Sequence, residues 1–174
     1  FLVFMSQDAY PVGTDAIARM VRWLAADATI AVASGREVPR SDADLFSCWQ
    51  LWTFNERILG HGCDTAVGLD SDALAALPPA ERRRAAQVNN VFCCVRRSAF
   101  AQVGVRPLPF AEDLDFGLRV LAAGHRIGFM PTVAVVHSHR RPASYHLRRL
   151  FADWLAQVDL LGFEPLDWSR DGFT

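Results

Sequence analysis

Pro109-Phe110-Ala111-Glu112-Asp113-Leu114-Asp115-Phe116-Gly117-Leu118-Arg119-Val120-Leu121-Ala122-Ala123-Gly124 reads as a helix opened by acids. Leu114, Leu118 and Leu121 recur at three- and four-residue spacing, and Gly124 suits the C-terminal stop. One acid at a helix start is ordinary, because the helix dipole favours negative charge there. Glu112, Asp113 and Asp115 within four residues exceed what capping needs. Pro-Phe-Ala before them makes a stiff, apolar approach, and a carboxylate at the edge of an apolar pocket is a candidate general base. Taken alone, the stretch also fits a solvated helix start.

Two other stretches bear on it. Phe1-Leu2-Val3-Phe4-Met5 is an apolar run that reads as a strand buried on both faces, followed by Ser6-Gln7-Asp8 and a loop marked by Pro11 and Gly13. Val133-Ala134-Val135-Val136-His137-Ser138-His139 repeats the pattern with imidazoles. Open α/β sheets build their sites at the carboxyl ends of strands, so a sheet can bring Asp8, Asp113 and His137 together.

The remaining pattern alternates strands and helices. Thr14-Asp15 should cap a helix with Ile17, Met20, Val21 and Leu24 on its apolar face. Residues 29–33 read as a strand ended by Ser34-Gly35-Arg36, with residues 37–43, including Pro39, as a loop. A helix is expected over residues 43–59, carrying Leu45, Trp49, Trp52 and Ile58 before Gly60 and Gly62. Residues 61–86 suggest a loop with a short helix, 88–95 a strand carrying Asn89-Asn90, and 98–103 a short helix or turn. Two short strands are expected over 126–131 and 133–137. A helix over 144–161 should pack Leu147, Leu150, Phe151, Trp154, Leu155 and Val158 against a core; beside Arg140-Arg141 and Arg148-Arg149 the same face also suits docking on a membrane near a lipid-linked acceptor. The pattern predicts one α/β layered domain over residues 1–161 with a mainly parallel sheet, and an irregular tail over 162–174.

At 174 residues and 51% hydrophobic, the chain can bury a real core. Its 18 basic side chains are all arginine and its net charge is −1, so no broad basic surface speaks for nucleic acid. The Arg82-Arg83-Arg84, Arg96-Arg97, Arg140-Arg141 and Arg148-Arg149 runs read as solvated faces. The last two pairs also suit anionic lipid head groups or phosphates, which allows peripheral membrane contact. Cys48, Cys63, Cys93 and Cys94 lack zinc-site spacing and read as buried free thiols in a reducing, cytoplasmic setting. The side chains of adjacent Cys93 and Cys94 should point to opposite faces of their strand. The chain opens inside a strand without an initiator Met, the expectation being the C-terminal portion of a longer protein.

Asp8 beside Gln7 supplies a hard oxygen ligand suited to Mg²⁺ or Mn²⁺, and His137 or His139 can complete such a site, an imidazole tilting the choice toward Mn²⁺. Each residue alone also fits a turn, a cap or a satisfied structural histidine. The series Ser6-Gln7-Asp8-Ala9, Gly35-Arg36-Glu37-Val38-Pro39-Arg40, Asn90-Val91-Phe92-Cys93-Cys94-Val95-Arg96-Arg97-Ser98, Pro109-Phe110-Ala111-Glu112-Asp113-Leu114-Asp115 and His137-Ser138-His139 resembles family 2 glycosyltransferases of the GT-A fold, closest to their rhamnosyltransferase-like branch, over roughly residues 1–155.

That resemblance implies that Asp8 stands where the family's metal-binding motif ends, with Ser6 where an acid often stands. It implies Asp113 as the base toward the acceptor hydroxyl, Glu112 as its neighbour, and His137 as the metal-side histidine with His139 as the alternative. Gln7, Asn90, Arg96, Arg97 and Arg36 would line the substrates. The implied reaction moves a sugar from a nucleoside-diphosphate donor to a saccharide or lipid-linked acceptor, with inversion, in cell-surface polysaccharide synthesis at the inner face of the membrane. The family's nucleotide-binding units precede the Gln-Asp motif and are not in this chain, so a sheet edge left open there suggests self-association. A non-catalytic scaffold that keeps the fold is the alternative. Metal-dependent phosphoryl or nucleotidyl transfer is a weaker third reading, with no Gly-rich phosphate loop to support it.

Overall fold

The computed structural model describes residues 1–55 and 62–163. Their elements are β1 (Leu2–Met5), β2 (Tyr10–Pro11), α1 (Ala16–Ala26), β3 (Ile30–Val38), α2 (Leu45–Thr53), β4 (Thr65–Val67), α3 (Ser71–Ala76), α4 (Pro79–Ala86), β5 (Phe92–Val95), α5 (Arg97–Val103), α6 (Glu112–Ala122), β6 (Arg126–Val136) and α7 (Ala143–Leu161). The expected end of the helix after Thr53, with Ile58 and Gly60, and the tail beyond residue 163 lie outside the described residues.

The class is α/β, but the sheet is mixed rather than mainly parallel. Its order is β1-β5-β3-β6-β2, with β4 also on β6. Among these pairings only β3 and β6 run parallel. Alternation of strands and helices conveys element order, not direction. Strand β5 inserts between β1 and β3 and runs against both, while β4 and β2 are short returns onto β6.

This topology decides where the chemistry falls. Strands β1, β3 and β6 run one way, so their carboxyl ends share one end of the sheet, and the amino end of antiparallel β5 lies there too. Met5 pairs with Phe92, and the Ser6 amide donates to the Val91 carbonyl at 3.0 Å. Asp8, Arg40, Asn89-Asn90 and His137 therefore emerge together. The carboxyl end of β5, with Arg96, emerges at the opposite end.

Two clusters cover the two faces. Helix α1 presses Ala16, Met20 and Leu24 onto one, with Ala33, Cys94 and Val135. Leu114, Val120 and Leu121 of α6 fill the other, with Ala86, Cys93 and Leu161. Each such large side chain contributes about 1.5–3 kcal/mol on burial. Cys93 and Cys94 do face opposite ways, and all four thiols are free, but only these two are buried, Cys48 being half-buried and Cys63 exposed; burial pushes the Cys93 thiol up to about 12. Helix α6 lies so close to α4 that a Cβ at Gly117 would fall 1.7 Å from the Ala86 carbonyl oxygen. Gly124 ends α6 at φ +80°, where an L side chain is strained.

Several expectations are corrected. Strand β1 is an edge strand, paired only with β5 among the described residues, and buried on one face rather than both: Phe4 packs on the core while Val3 and Met5, on the other face, are exposed. Strand β3 does not stop at Gly35 but runs to Val38. The two short strands after Gly124 are one, β6, in which residues 131–133 bulge out between Met130 and Ala134 opposite Gly35 and Arg36. Residues 65–86 hold β4, α3 and α4 rather than one short helix, and Asn89-Asn90 precede β5 rather than forming part of it. Asp15 precedes α1 without a side-chain capping bond. Arg82 and Arg83 are not solvated: Arg82 donates to the Leu161 carbonyl, and Arg83 pairs with Asp153 at 3.2 Å, both fastening α4 to α7. The apolar face of α7 does not pack as core, and the apolar residues of α2 are likewise in solvent. Leu45, Trp49, Trp52, Leu147, Leu150, Phe151 and Leu155 are exposed, since α7 packs instead through Ala156, Gln157, Leu160 and Leu161.

Candidate functional site

At the shared sheet end, Asp8 meets both histidines. Its Oδ1 lies 3.5 Å from His137 Nε2 and its Oδ2 lies 3.5 Å from His139 Nδ1. One donor atom from each of the three residues falls within 4.8 Å of the others. The two imidazoles pack edge to face with centroids 4.8 Å apart, as their two-residue spacing at a strand end allows.

The backbone around them is cross-tied. Arg40, just past β3, donates through its guanidinium to the Asp8 carbonyl at 2.8 Å and through its amide to Ser138 Oγ at 3.0 Å. Ser47 of α2 donates to the His139 carbonyl at 3.0 Å. An open cleft of about 290 Å³ lies against these groups, lined by Asp8, Arg40, Asp42, His139, Arg140 and Arg141 among others.

Behind His137 stands Glu37, a buried carboxylate on β3. Its Oε2 lies 2.7 Å from His137 Nδ1. A carboxylate only accepts, so Nδ1 carries the proton and Nε2 is the nitrogen turned to Asp8. The bond to Glu37 raises the His137 pKa above the ordinary value, against an opposing effect of burial. Burial and then the neighbouring His137 lower that of His139. Asn89 Nδ2 donates to Glu37 Oε1 at 3.0 Å, and Asn55 Nδ2 to the Glu37 carbonyl at 3.0 Å.

The acidic helix joins the same end through the next residue. Asn90 Nδ2 donates to Glu112 Oε1 at 2.8 Å. A chain of contacts thus runs from Asp8 through His137, Glu37 and the adjacent Asn89-Asn90 to Glu112. Ala111, just before it, sits in the left-handed region at φ 59°, which costs an L residue on the order of 1 kcal/mol. Asp113 follows on the first turn, accepting from the Leu114 amide at 2.8 Å. Burial, above all, pushes its pKa up to about 6, with Glu112 adding to the effect. Asp115 is a structural partner: it is buried and paired with Arg119 at 2.7 Å.

Asp8, His137, His139, Asn90, Glu112 and Asp113 therefore gather at one end of the sheet. Gln7 is exposed in the turn beside Asp8, and Arg36 is exposed on β3. Arg96 is not at this end. It donates to the carbonyls of Leu24 and Asp27 at the end of α1 and of Ile30 at the start of β3, and lies 5.4 Å from the Phe1 ring, with Arg97 next to it. Glu37, Asn89 and Arg40 are the site residues that sequence reasoning missed. The signal for Glu37 was an alternation past Gly35 that only a continued strand makes meaningful.

Compared with known proteins, the chain is 26% identical over 153 residues to the O-antigen chain rhamnosyltransferase WbaN of Salmonella anatum, covering 87% of this chain and 45% of that protein. It is 25% identical over 154 residues to the O-antigen chain rhamnosyltransferase RfbN of Salmonella typhimurium, covering 86% and 45%. The chain thus spans about half the length of the curated relatives it matches. No family model matches it. The likeness is a distant, glycosyltransferase-like one.

Proposed function

We propose that this chain carries the acceptor-side and catalytic part of an inverting glycosyltransferase of the GT-A type. It would move a sugar, with rhamnose the first donor to test, from a nucleoside-diphosphate sugar to a saccharide or lipid-linked acceptor in cell-surface polysaccharide synthesis. The observation that carries this reading is the meeting of Asp8, His137 and His139 within 4.8 Å, at the sheet end that also holds Glu112 and Asp113. Distant similarity to two O-antigen rhamnosyltransferases over most of the chain supports it.

The donor set fits a divalent ion. One carboxylate and two imidazoles suit Mn²⁺ better than Mg²⁺, which prefers all-oxygen shells. A second carboxylate holding the far nitrogen of a histidine is the usual support for a metal ligand, and Glu37 is placed to give it to His137. An ion held by Asp8, His137 and His139 supplies charge stabilisation for the departing diphosphate.

The remaining work falls to the chain's own side chains. Asp113, with its pKa pushed up to about 6, is ionised at neutral pH yet basic enough to take the acceptor hydroxyl's proton. Glu112, fixed by Asn90, orients the acceptor. Arg40 lends positive charge on the cleft side of Asp8. The acceptor oxygen forms its bond to the anomeric carbon as the bond to the diphosphate breaks on the opposite face. The hydroxyl proton passes to Asp113, and the configuration inverts.

Calorimetry of the intact protein with nucleoside diphosphates tests the reading. Binding should require Mn²⁺ and vanish in Asp8→Ala. Failure to bind any nucleoside diphosphate would favour the non-catalytic scaffold instead.

A further inference from the structure

Helices α2 and α7 leave two apolar stripes in solvent on neighbouring surfaces. On α7, Leu147, Phe151 and Leu155 stand at i, i+4 and i+8, with Leu147 72% exposed. On α2, Leu45, Trp49 and Trp52 stand at i, i+4 and i+7, with Leu45 89% exposed. The helices touch: the Phe46 ring lies 4.7 Å from that of His146. Isolated apolar residues on a surface need no explanation, but six large ones in two adjoining helical stripes do. Packing accounts for the opposite side of α7, fastened by Asp153 to Arg83 and buried through Leu161, and leaves the outward stripe without a role.

The charge around the stripes selects the occupant. Arg140 and Arg141 lead into α7, and Arg148 and Arg149 lie in its N-terminal half, all exposed. Arg141 stacks on Tyr145 at 5.4 Å and Arg149 on Phe110 at 5.1 Å, arrangements that keep the guanidinium groups near the surface. The nearby acids are engaged or set apart. Asp44 accepts from the Ser47 amide at 2.8 Å as the cap of α2, Asp153 is paired, and Asp159 sits in the last turns of α7; exposed Asp42 shares the cleft wall with Arg140 and Arg141, one acid against the four arginines. Leucine, phenylalanine and tryptophan beside arginines make an interfacial surface of the kind that lies in the head-group layer of an anionic membrane. Among the described residues no helix is long and apolar enough to cross a membrane, so the contact is peripheral.

We infer that the joined outer faces of α2 and α7 dock this protein onto an anionic lipid surface. The inference does not depend on the reaction proposed above. Docking would set the cleft beside Asp8, whose wall includes Arg140 and Arg141, next to the bilayer.

Flotation of the intact protein with vesicles of phosphatidylcholine and phosphatidylglycerol tests it. The protein should co-float with the mixed vesicles, less so at high salt, and not with phosphatidylcholine alone. Trp49→Ser with Phe151→Ser should lower vesicle affinity roughly tenfold or more, and Arg148→Glu should weaken binding only where anionic lipid is present. Because these side chains are exposed, the variants should melt with the wild type. No co-flotation, or flotation unchanged by the apolar substitutions, would overturn the inference. So would a dimer in sedimentation that the same substitutions dissolve, since the stripes would then be a protein interface.

Discussion

His137 Nδ1 lies 2.7 Å from Glu37 Oε2, across the parallel pair formed by β3 and β6. This contact fixes the imidazole and leaves Nε2 toward Asp8. Glu37→Gln should therefore weaken Mn²⁺ binding about 10- to 100-fold while leaving the fold intact. Titration calorimetry measures it; unchanged affinity would remove Glu37 from its positioning role.

The same pair governs pH behaviour without metal. The folded pKa of His137 is raised above 6.5. Its pairing thus contributes stability that is fully present below the unfolded value and is lost as pH rises through the folded one. Mn²⁺ bound at Nε2 would compete with the proton taken up there, so metal affinity should fall as pH drops through the same range. Denaturant melts across pH, with and without Mn²⁺, should show opposite trends.

Asp113 has a folded pKa raised from 3.8 to about 6, again stability that is present at low pH and lost as pH rises through about 6. Asp113→Asn, which cannot ionise, should be more stable than wild type above that range, on the order of 1 kcal/mol after allowing for the solvent the side chain still meets. The two proteins should converge near pH 4. Convergence at high pH instead would mean that the carboxyl is not desolvated.

Gly117→Ala should destabilise the domain by roughly 2–4 kcal/mol. A Cβ there meets the Ala86 carbonyl oxygen at 1.7 Å, and this contact is backbone rather than a yielding side chain. A thermal melt within a degree or two of wild type would contradict the close approach of α6 and α4.

Much of the fold was legible from local pattern. The apolar run of β1, the helical spacing of α1 and α6, and the stop at Gly124 all rest on periodicity and backbone preference, which act over a few residues. Asp8 and His137 were visible because each follows an apolar run. What stayed hidden depended on partners distant in sequence. Gly35 looked like a break, yet pairing with β6 carries β3 past it, opposite a bulge, through Glu37 to Val38, and only at Pro39 does the strand end. Arg96 follows an apolar strand just as His137 does, but β5 runs the other way and carries it to the opposite end of the sheet. The stripe on α7 has the spacing of a buried face, and spacing alone does not say which side of a helix meets the domain.

The most direct test of the account is single-turnover sugar transfer by the intact protein carrying Asp113→Asn, with Mn²⁺-dependent nucleoside-diphosphate binding measured alongside. The account predicts a rate lowered about 10²- to 10⁴-fold with that binding retained. Transfer at the wild-type rate would contradict it.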